Sequence, residues 1–504
     1  MDMGKTAGKH RFFKLMANSG LALSYNDVRL KTGYSEGLDS IRMTTLFSRR
    51  VPLNVPIVSS PMDTVTESKM AITMAKFGGI GVIHRNLTPQ AQAEKVVRVK
   101  LHLNGLVSKP ICVFGDETIE AIEQRRQEKG YTFQTFPVID RQGKFIGLLT
   151  SNDYVFCENM KSLANQVMTN SVITAPSGTD LNKGYEIMKE KKKKVLPLLD
   201  NNGCVVGMYV FTDLKRIKTG NSEGYNTDPK GHLRVAASIG TGEEEMERAK
   251  LLIESGVDAI VIDTAHADSK PVFMMLKNLK ETFPDTDIVV GNISEGTSAR
   301  GLVEAGADGV KVGQGPGSIC TTRIVAGVGC PQVTAIYNCA CAIQKSQIPV
   351  CADGGITYSG DIPVAIGAGG HSVMLGRLLA GTDESPGDIV YIRGVPYKGY
   401  RGMGSLGAMQ ESKSSRQRYG QSNAGKDQLV PEGIEGVVPY QGSVTNLLYQ
   451  YVEGLRRGMG YVGARSIMEL REKADFHRIS SAGLAESHPH DIDHIQDSPN
   501  YRRP

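Results

Sequence analysis

From Pro56 onward the chain alternates short apolar runs with stretches of helical period. Pro56-Ile-Val-Ser-Ser60 and Gly79-Ile-Gly-Val-Ile-His84 are strand-like, with helical periodicity over 67–77 and 89–101. The rhythm breaks near Gly105 and resumes at Arg234-Val-Ala-Ala-Ser-Ile239. Further strand-like runs follow at 259–263, 287–292, 309–313, 349–355 and 371–376. Helix-like segments such as 243–255 and 296–305 separate them. Eight β-then-α units are the number that closes a (β/α)8 TIM barrel, and an α/β barrel is the expected fold. A doubly wound open sheet competes with it but would not need eight such similar units. The first twenty residues, basic and without clear period, predict an arm or a short helix.

The interruption carries its own repeat. Phe136-Pro-Val-Ile-Asp-Arg-Gln-Gly-Lys-Phe-Ile-Gly147 is answered by Leu196-Pro-Leu-Leu-Asp-Asn-Asn-Gly-Cys-Val-Val-Gly207, and Pro137, Asp140, Gly143, Gly147 and Asp153 recur sixty residues later as Pro197, Asp200, Gly203, Gly207 and Asp213. A duplicated unit buries an interface that neither copy could bury alone. The pattern resembles a tandem pair of cystathionine-β-synthase (CBS) motifs, with Thr150-Ser-Asn-Asp153 and Thr212-Asp213 at the ribose-contacting end of each copy. That resemblance implies a regulatory module for adenine or guanine nucleotides (ATP, GTP or GDP). The expected division is 1–106 for the first part of the barrel, 107–220 for the CBS pair and 221–504 for the rest of the barrel with its loops and tail. The Lys191–Lys194 run beside the second copy reads as a solvated helix face, with contact to a phosphate as the alternative.

Composition changes this picture little. The chain is 40% apolar and 22% charged, as in an ordinary soluble protein, and its net charge of +5 is dispersed, too weak a bias to argue for nucleic acid. No apolar run has the length of a membrane span. The eight cysteines show no zinc-type spacing and suit free thiols in a reducing cytoplasm. In the tail, His488-Pro-His-Asp-Ile-Asp-His494 contains a proline and irregular spacing, which argue against a metal held by its histidine side chains.

A barrel presents its ligands at the C-terminal ends of its strands. Those ends are Ser59-Ser60-Pro61-Met62-Asp63, His84, Asp263, Asn292, the loop Gly313-Gln-Gly-Pro-Gly-Ser-Ile-Cys-Thr-Thr-Arg323, Asp353-Gly-Gly355 and Gly376-Arg377. Three glycines in five residues let the 313–317 backbone turn sharply and approach a ligand, and Cys320 arrives at the end of that turn. Most cysteines are small buried thiols, but packing does not require this concentration of glycine. The glycines of the last two units suit a phosphate held by backbone N–H groups, and Asp353 suits a ribose diol, which together suggest a nucleoside monophosphate or a sugar phosphate. His84 and His266 lie near the mouth, and neither is assigned a role. After the eighth strand, Tyr400-Arg-Gly-Met-Gly-Ser-Leu-Gly-Ala-Met409 leads into a polar stretch from Gln410 to Leu429 that reads as a mobile lid, with Arg418 and Tyr419 delivered on closure.

Four of these motifs carry a close resemblance. The segments 315–323 and 400–409, the dyad Arg418-Tyr419 and Pro431-Glu-Gly-Ile-Glu-Gly436 resemble the inosine-5′-monophosphate (IMP) dehydrogenase family, over residues 21–502. The cysteine loop is shared with GMP reductases. Those usually carry a glutamate where this chain has Leu406-Gly407, and they usually lack the Arg-Tyr dyad. The resemblance implies NAD-dependent oxidation of IMP to XMP. In it Cys320 attacks C2 of the purine, Arg418 assisted by Tyr419 activates water for hydrolysis of the adduct, and Thr322 is auxiliary. It places Ser60, Met62, Ser318, Asp353, Gly354, Gly355, Gly376, Arg377, Tyr400, Arg401, Gly402, Met403, Gly404 and Glu432 around the nucleotide. Asp263, Thr264, Ala265, Asn292, Gly313, Gln314 and Gly315 fall on the nicotinamide side. It also implies a K+ site at Gly315, Gly317 and Cys320, completed by Glu486, Ser487 and His488 of a neighbouring subunit, and hence a homotetramer with octamers formed through the CBS pair. GMP reductase is the alternative enzyme, and a nucleotide-sensing protein on a barrel scaffold the alternative outside catalysis. Three positions depart from the family pattern. Arg377 stands where serine is common, Ala267-Asp268 where a glycine is frequent, and Gly420 where an aromatic is common.

Overall fold

The computed structural model describes residues 3–38, 41–102, 105–107, 110–131, 133–219, 224–492 and 498–501. They form two compact units, one of Met1–Val99, Gly224–Asp228 and Leu233–Pro504, the other of Lys100–Glu223 and Pro229–His232.

In the larger unit eight parallel strands close on themselves: β1 (Ile57–Ser59), β2 (Ile80–Ile83), β3 (Ala236–Ile239), β4 (Ala259–Asp263), β5 (Asp287–Ile293), β6 (Gly309–Val312), β7 (Val350–Asp353) and β8 (Ser372–Leu375), with β8 bonded back to β1. All eight runs expected from the sequence are strands of this barrel, with the neighbours a TIM barrel requires. Every residue of β2, β4, β5, β6 and β8 is buried or nearly so, because the barrel interior covers one face and helices cover the other. Val58, Ile80, Val82, Ala236, Ala259, Val261, Val289, Cys351 and Met374 fill the interior. Phe47, Val51 and Leu53 join them from a hairpin (Thr45–Ser48 with Val51–Leu53) that the periodicity did not mark. The hairpin plugs the N-terminal end of the barrel, where Arg50 pairs with Asp287 at 2.6 Å and the Arg49 amide donates to the Asp308 carbonyl at 2.8 Å. The opposite end is left for a site.

The N-terminal stretch folds as a helix, Met3–Asn18. A three-stranded antiparallel sheet (Ile389–Ile392, Val395–Arg401, Glu435–Pro439) follows the barrel, and the helix Val444–Val462 packs on its outside.

The smaller unit holds two sheets whose pairing repeats at the sequence interval. Pro137 pairs with Leu148 and Pro197 with Met208, and a bulge follows Val138 in one copy and Leu198 in the other. The turns match as well, with Gly143 at φ 84° and Gly203 at φ 80°, conformations glycine adopts without strain. Thr150 donates to Asp153 through its backbone N–H and its hydroxyl, so the loop before that helix is tied to its own carboxylate. Lys191–Lys194 lies beyond the helix Leu181–Glu190, not on its face; Lys192 has φ 53°, and all four lysines are exposed. Among the described residues no helix is long and apolar enough to cross a membrane.

Candidate active site

Three pairs of neighbouring strand ends are stitched together, which gathers expected polar residues at one mouth. The Ser60 amide donates to the Leu375 carbonyl at 3.0 Å, the Gly313 amide to Ile293 at 2.8 Å, and the Asn292 amide to Thr264 at 2.9 Å. Gly354, at φ 91°, lets the cysteine loop lie directly on the end of β7; a Cβ there would stand 3.1 Å from Pro316.

At the centre is a buried charge cluster that the sequence reading missed. Lys311, fully buried in β6, reaches Asp263 at 2.9 Å and Asp353 at 2.7 Å, and also donates to the Asn292 side-chain carbonyl. The Asn292 amide group donates to the Gly313 carbonyl at 2.6 Å and to Asp353 at 2.9 Å. A lysine inside a four-residue buried strand must be paired; that was the available signal, and Gly309-Val-Lys-Val312 was read only as an apolar run. On the same side, Gln314 donates to the Ala265 carbonyl at 3.2 Å and lies 3.1 Å from His266, while Ser294 donates to Gln314 at 2.7 Å.

Cys320 is half-buried, its thiol 3.2 Å from the Thr322 hydroxyl. Its loop is woven to two distant segments. The Thr321 amide donates to the Glu432 carbonyl at 2.9 Å, Ile434 to Ile319 at 3.0 Å, and Glu432 to Gly404 at 3.0 Å. Beside the loop, a Cβ on Gly376 would sit 3.1 Å from the Tyr400 hydroxyl and 3.3 Å from the Met62 sulfur, so β8, β1 and the antiparallel sheet converge on one small space. Burial pushes the Tyr400 phenol up to about 12, while a hydrogen bond with Ser318 and the nearby Arg377 pull it back. The Arg401 guanidinium is held by Asp63 at 2.9 Å and Glu411 at 2.8 Å.

The expected lid is folded. The end of the 400–409 motif and the start of the polar stretch 410–429 form two short helices, Leu406–Glu411 and Lys413–Arg418, because Ser405 and Ser412 each accept a backbone N–H at a helix start. The second helix is seated on the mouth. Arg418 is ion-paired with Asp263, and its carbonyl accepts the Ala265 amide at 3.2 Å. Burial draws the Arg418 guanidinium below its ordinary value, opposed by the adjacent Tyr419. Burial likewise raises the Tyr419 phenol, with Arg418 acting against it and Cys320 and Glu432 acting with it. The Tyr419 ring lies against the Gly404 backbone, where a Cβ would come within 2.5 Å of it. Two further residues missed by the sequence reading hold this helix, Arg85 through Gln417 and Asn86 through Ser415.

His84 is buried. Its Nδ1 accepts the Asn86 amide at 3.1 Å, which leaves Nε2 carrying the proton toward Glu67, 3.6 Å away. In the tail, His488 packs within its own chain against Tyr358 and Tyr501, at ring separations of 5.7 and 5.9 Å. Ser487 bonds the Gly483 carbonyl at 2.7 Å, and Glu486 ends the helix Ser481–Glu486. His494 lies outside the described residues. Among the described residues there is no metal-ligand cluster of histidine, cysteine and carboxylate side chains, and the eight cysteines are free thiols.

Fold and site together define a (β/α)8-barrel protein whose thiol loop and arginine-bearing lid meet over one polar mouth. The model of the IMP dehydrogenase / GMP reductase domain matches residues 22–490. The inosine-5′-monophosphate dehydrogenase of Aquifex aeolicus is 48% identical over 485 residues, 95% of this chain and 97% of that protein. That of Halalkalibacterium halodurans is 46% identical over 482 residues, 95% and 98% of the two chains. Among solved structures, a cysteine-to-alanine variant of GMP reductase from Trypanosoma brucei, in complex with guanosine 5′-monophosphate, superposes with a TM-score of 0.86. It is 35% identical and covers 94% of this chain and 98% of that one. The chain belongs to the IMP dehydrogenase / GMP reductase family.

Proposed function

We propose that the chain is an NAD-dependent IMP dehydrogenase that oxidises IMP to XMP. The observation that carries this reading is the meeting of Cys320 with the dyad Arg418-Tyr419, the lid arginine lying on Asp263 beside the cysteine loop. Identities of 46–48% to proteins named as the dehydrogenase, against 35% to a named reductase, support the same branch. Leu406-Gly407 does too, since Gly407 bears no carboxylate and its amide is instead held by Glu435 at 2.7 Å.

In this reading the 5′-phosphate lies by Ser60, Ser318, Gly355, Gly376, Arg377 and Tyr400, and the ribose diol faces the Asp353 oxygen that Lys311 does not bind. Gly402, Met403, Gly404 and Glu432 line the base. The Cys320 thiolate adds to C2 of the purine, and NAD+ supplies the hydride acceptor. Asp263, Thr264, Ala265, Asn292, Gly313, Gln314 and Gly315 fit the nicotinamide side, but Asp263 is covered by Arg418 in the arrangement described here. Reduced cofactor and lid therefore occupy that space in turn. With the lid seated, burial lowers the Arg418 guanidinium below its ordinary value, the direction that base catalysis by an arginine needs, and the proton shared with Asp263 has to leave before Arg418 takes one from water. The resulting hydroxide adds to the C2 of the adduct, the C–S bond breaks, and XMP and the thiolate are released. Thr322, hydrogen-bonded to Cys320, lies in the path of that water.

The carbonyls of Gly315, Gly317 and Cys320 would hold K+. The Gly317 carbonyl accepts one bond, from the Cys320 amide at 3.0 Å, and keeps a lone pair, which suits a weakly hydrated monovalent cation. Glu486, Ser487 and His488 of a neighbouring copy would complete the site, in a homotetramer that pairs into octamers. The duplicated unit is read as a CBS pair for ATP, GTP or GDP, and the chain as cytoplasmic. The test is purified protein with IMP and NAD+, followed at the NADH absorbance. Turnover of GMP with NADPH alone would make the chain a reductase.

A further inference from the structure

We propose that Arg85 and Asn86, the residues that follow β2 and its terminal histidine, are positioning residues that clasp the lid helix Lys413–Arg418 over the site and so set the rate of the hydrolytic half of the reaction. The inference rests on the reading of that helix as the hydrolytic lid.

Asn86 is the hub. Its amide group donates to Asp63 at 2.9 Å on the barrel and to the Ser415 hydroxyl at 3.0 Å on the lid, while its carbonyl accepts the Ser412 hydroxyl at 3.0 Å. Arg85 is 5% exposed and donates to the Gln417 side-chain carbonyl at 2.6 Å; Gln417 in turn donates to the Thr241 carbonyl. Gln417 immediately precedes Arg418, so these bonds fix the register of the arginine on Asp263.

The clasp also has a thermodynamic direction. The only carboxylate within 4 Å of Arg85 among the described residues is Glu245, at 3.9 Å, and Glu245 is shared with Arg248 at 3.2 Å and with the Gly240 amide at 2.6 Å. Among the described residues one Arg85 nitrogen has no hydrogen-bond partner, and burial, against Glu245 and with the like charges of Arg418 and Arg248, brings the group down to about 10. A buried guanidinium so poorly matched gains an acceptor when Gln417 arrives, which favours the seated lid. The lid and the nicotinamide compete for Asp263, so weakening the clasp slows hydrolysis and leaves the first chemical step intact.

The test uses the full chain with IMP and NAD+, comparing Arg85→Met, Gln417→Ala, their combination, Asn86→Ala and the conservative Arg85→Lys. The first burst of NADH should keep its amplitude and its rate within about twofold. Steady turnover should fall about tenfold, the equivalent of one well-made hydrogen bond. Inhibition by excess NAD+ should strengthen, because the cofactor meets a weaker competitor. Arg85→Met and Gln417→Ala should be non-additive, and Arg85→Lys should recover part of the turnover. Gln417→Ala changes only the lid and decides the matter if Arg85→Met does not fold. Unchanged turnover in Gln417→Ala and Asn86→Ala overturns the clasp, as does a burst lost in proportion to turnover. A wild-type protein that makes no NADH from IMP and NAD+ overturns the reaction assigned above instead.

Discussion

Arg418 of the lid pairs with a carboxylate oxygen of Asp263, and the other oxygen of Asp263 lies 2.9 Å from Lys311. The lid thus docks on a carboxylate that the barrel already holds in place. If Arg418 is the base for hydrolysis and takes no part in hydride transfer, Arg418→Ala separates the two half-reactions. One equivalent of NADH per active site should appear at close to the wild-type rate, followed by turnover slowed about a hundredfold or more, the range for loss of a general base. Rapid-mixing absorbance measures both phases, and nucleotide mass retained on the Cys320 peptide reports the trapped adduct. A burst abolished together with turnover contradicts the assignment.

Lys311 is the structural keystone of the same cluster. Replacing it by methionine keeps much of its volume but leaves the half-buried Asp353 without its cation and the buried Asp263 with Arg418 alone. Breaking a buried pair in this way costs about 3–5 kcal/mol. Urea unfolding at neutral pH should show a loss of that order, and adding Asp263→Asn should recover part of it. A midpoint within error of the wild type would mean that the cluster is not charged as described.

Lys311 marks where legibility ended. The barrel was readable because β-strands covered on both faces leave an apolar imprint, and eight such imprints allow few other folds. The glycine loop around Cys320 was readable because close backbone approach demands glycine. Lys311 was not, because one charged residue in an apolar run looks like noise until its two carboxylates, 48 residues before it and 42 after it, are brought alongside. The Phe47 hairpin and the Asn86–Ser415 bond share that non-local character. The lid misled for a local reason, since its polar composition concealed two serine-capped turns.

Arg377 opens the short helix Arg377–Ala380 beside Tyr400 and Tyr358, and its charge acts on both phenols. In the proposed reading a guanidinium there would add a charge-assisted bond to a 5′-phosphate. Arg377→Ser should raise the KM for IMP about tenfold with little change in kcat, since the contact is uniform between ground and transition states. The wild-type KM should also climb more steeply with salt than that of the variant. Initial rates at two ionic strengths decide it, and identical salt slopes would place Arg377 away from the phosphate.

Glu67 offers a test of stability with a defined sign. His84 first, and Lys95 with it, hold this carboxyl down to about 2 from an ordinary value near 4.5. A carboxylate with a lowered folded pKa stabilises the protein fully above its unfolded value and loses that contribution as pH falls toward the folded one. The shift corresponds to at most about 3 kcal/mol, and less once the partial exposure of Glu67 is allowed for. Glu67→Gln should therefore be destabilised relative to wild type by about 1–2 kcal/mol at pH 7, with the gap constant down to about pH 5 and narrowing below it. Denaturant melts at pH 7, 5 and 4 measure this directly. A gap that widened on acidification would reverse the sign and remove the His84–Glu67 contact as its cause.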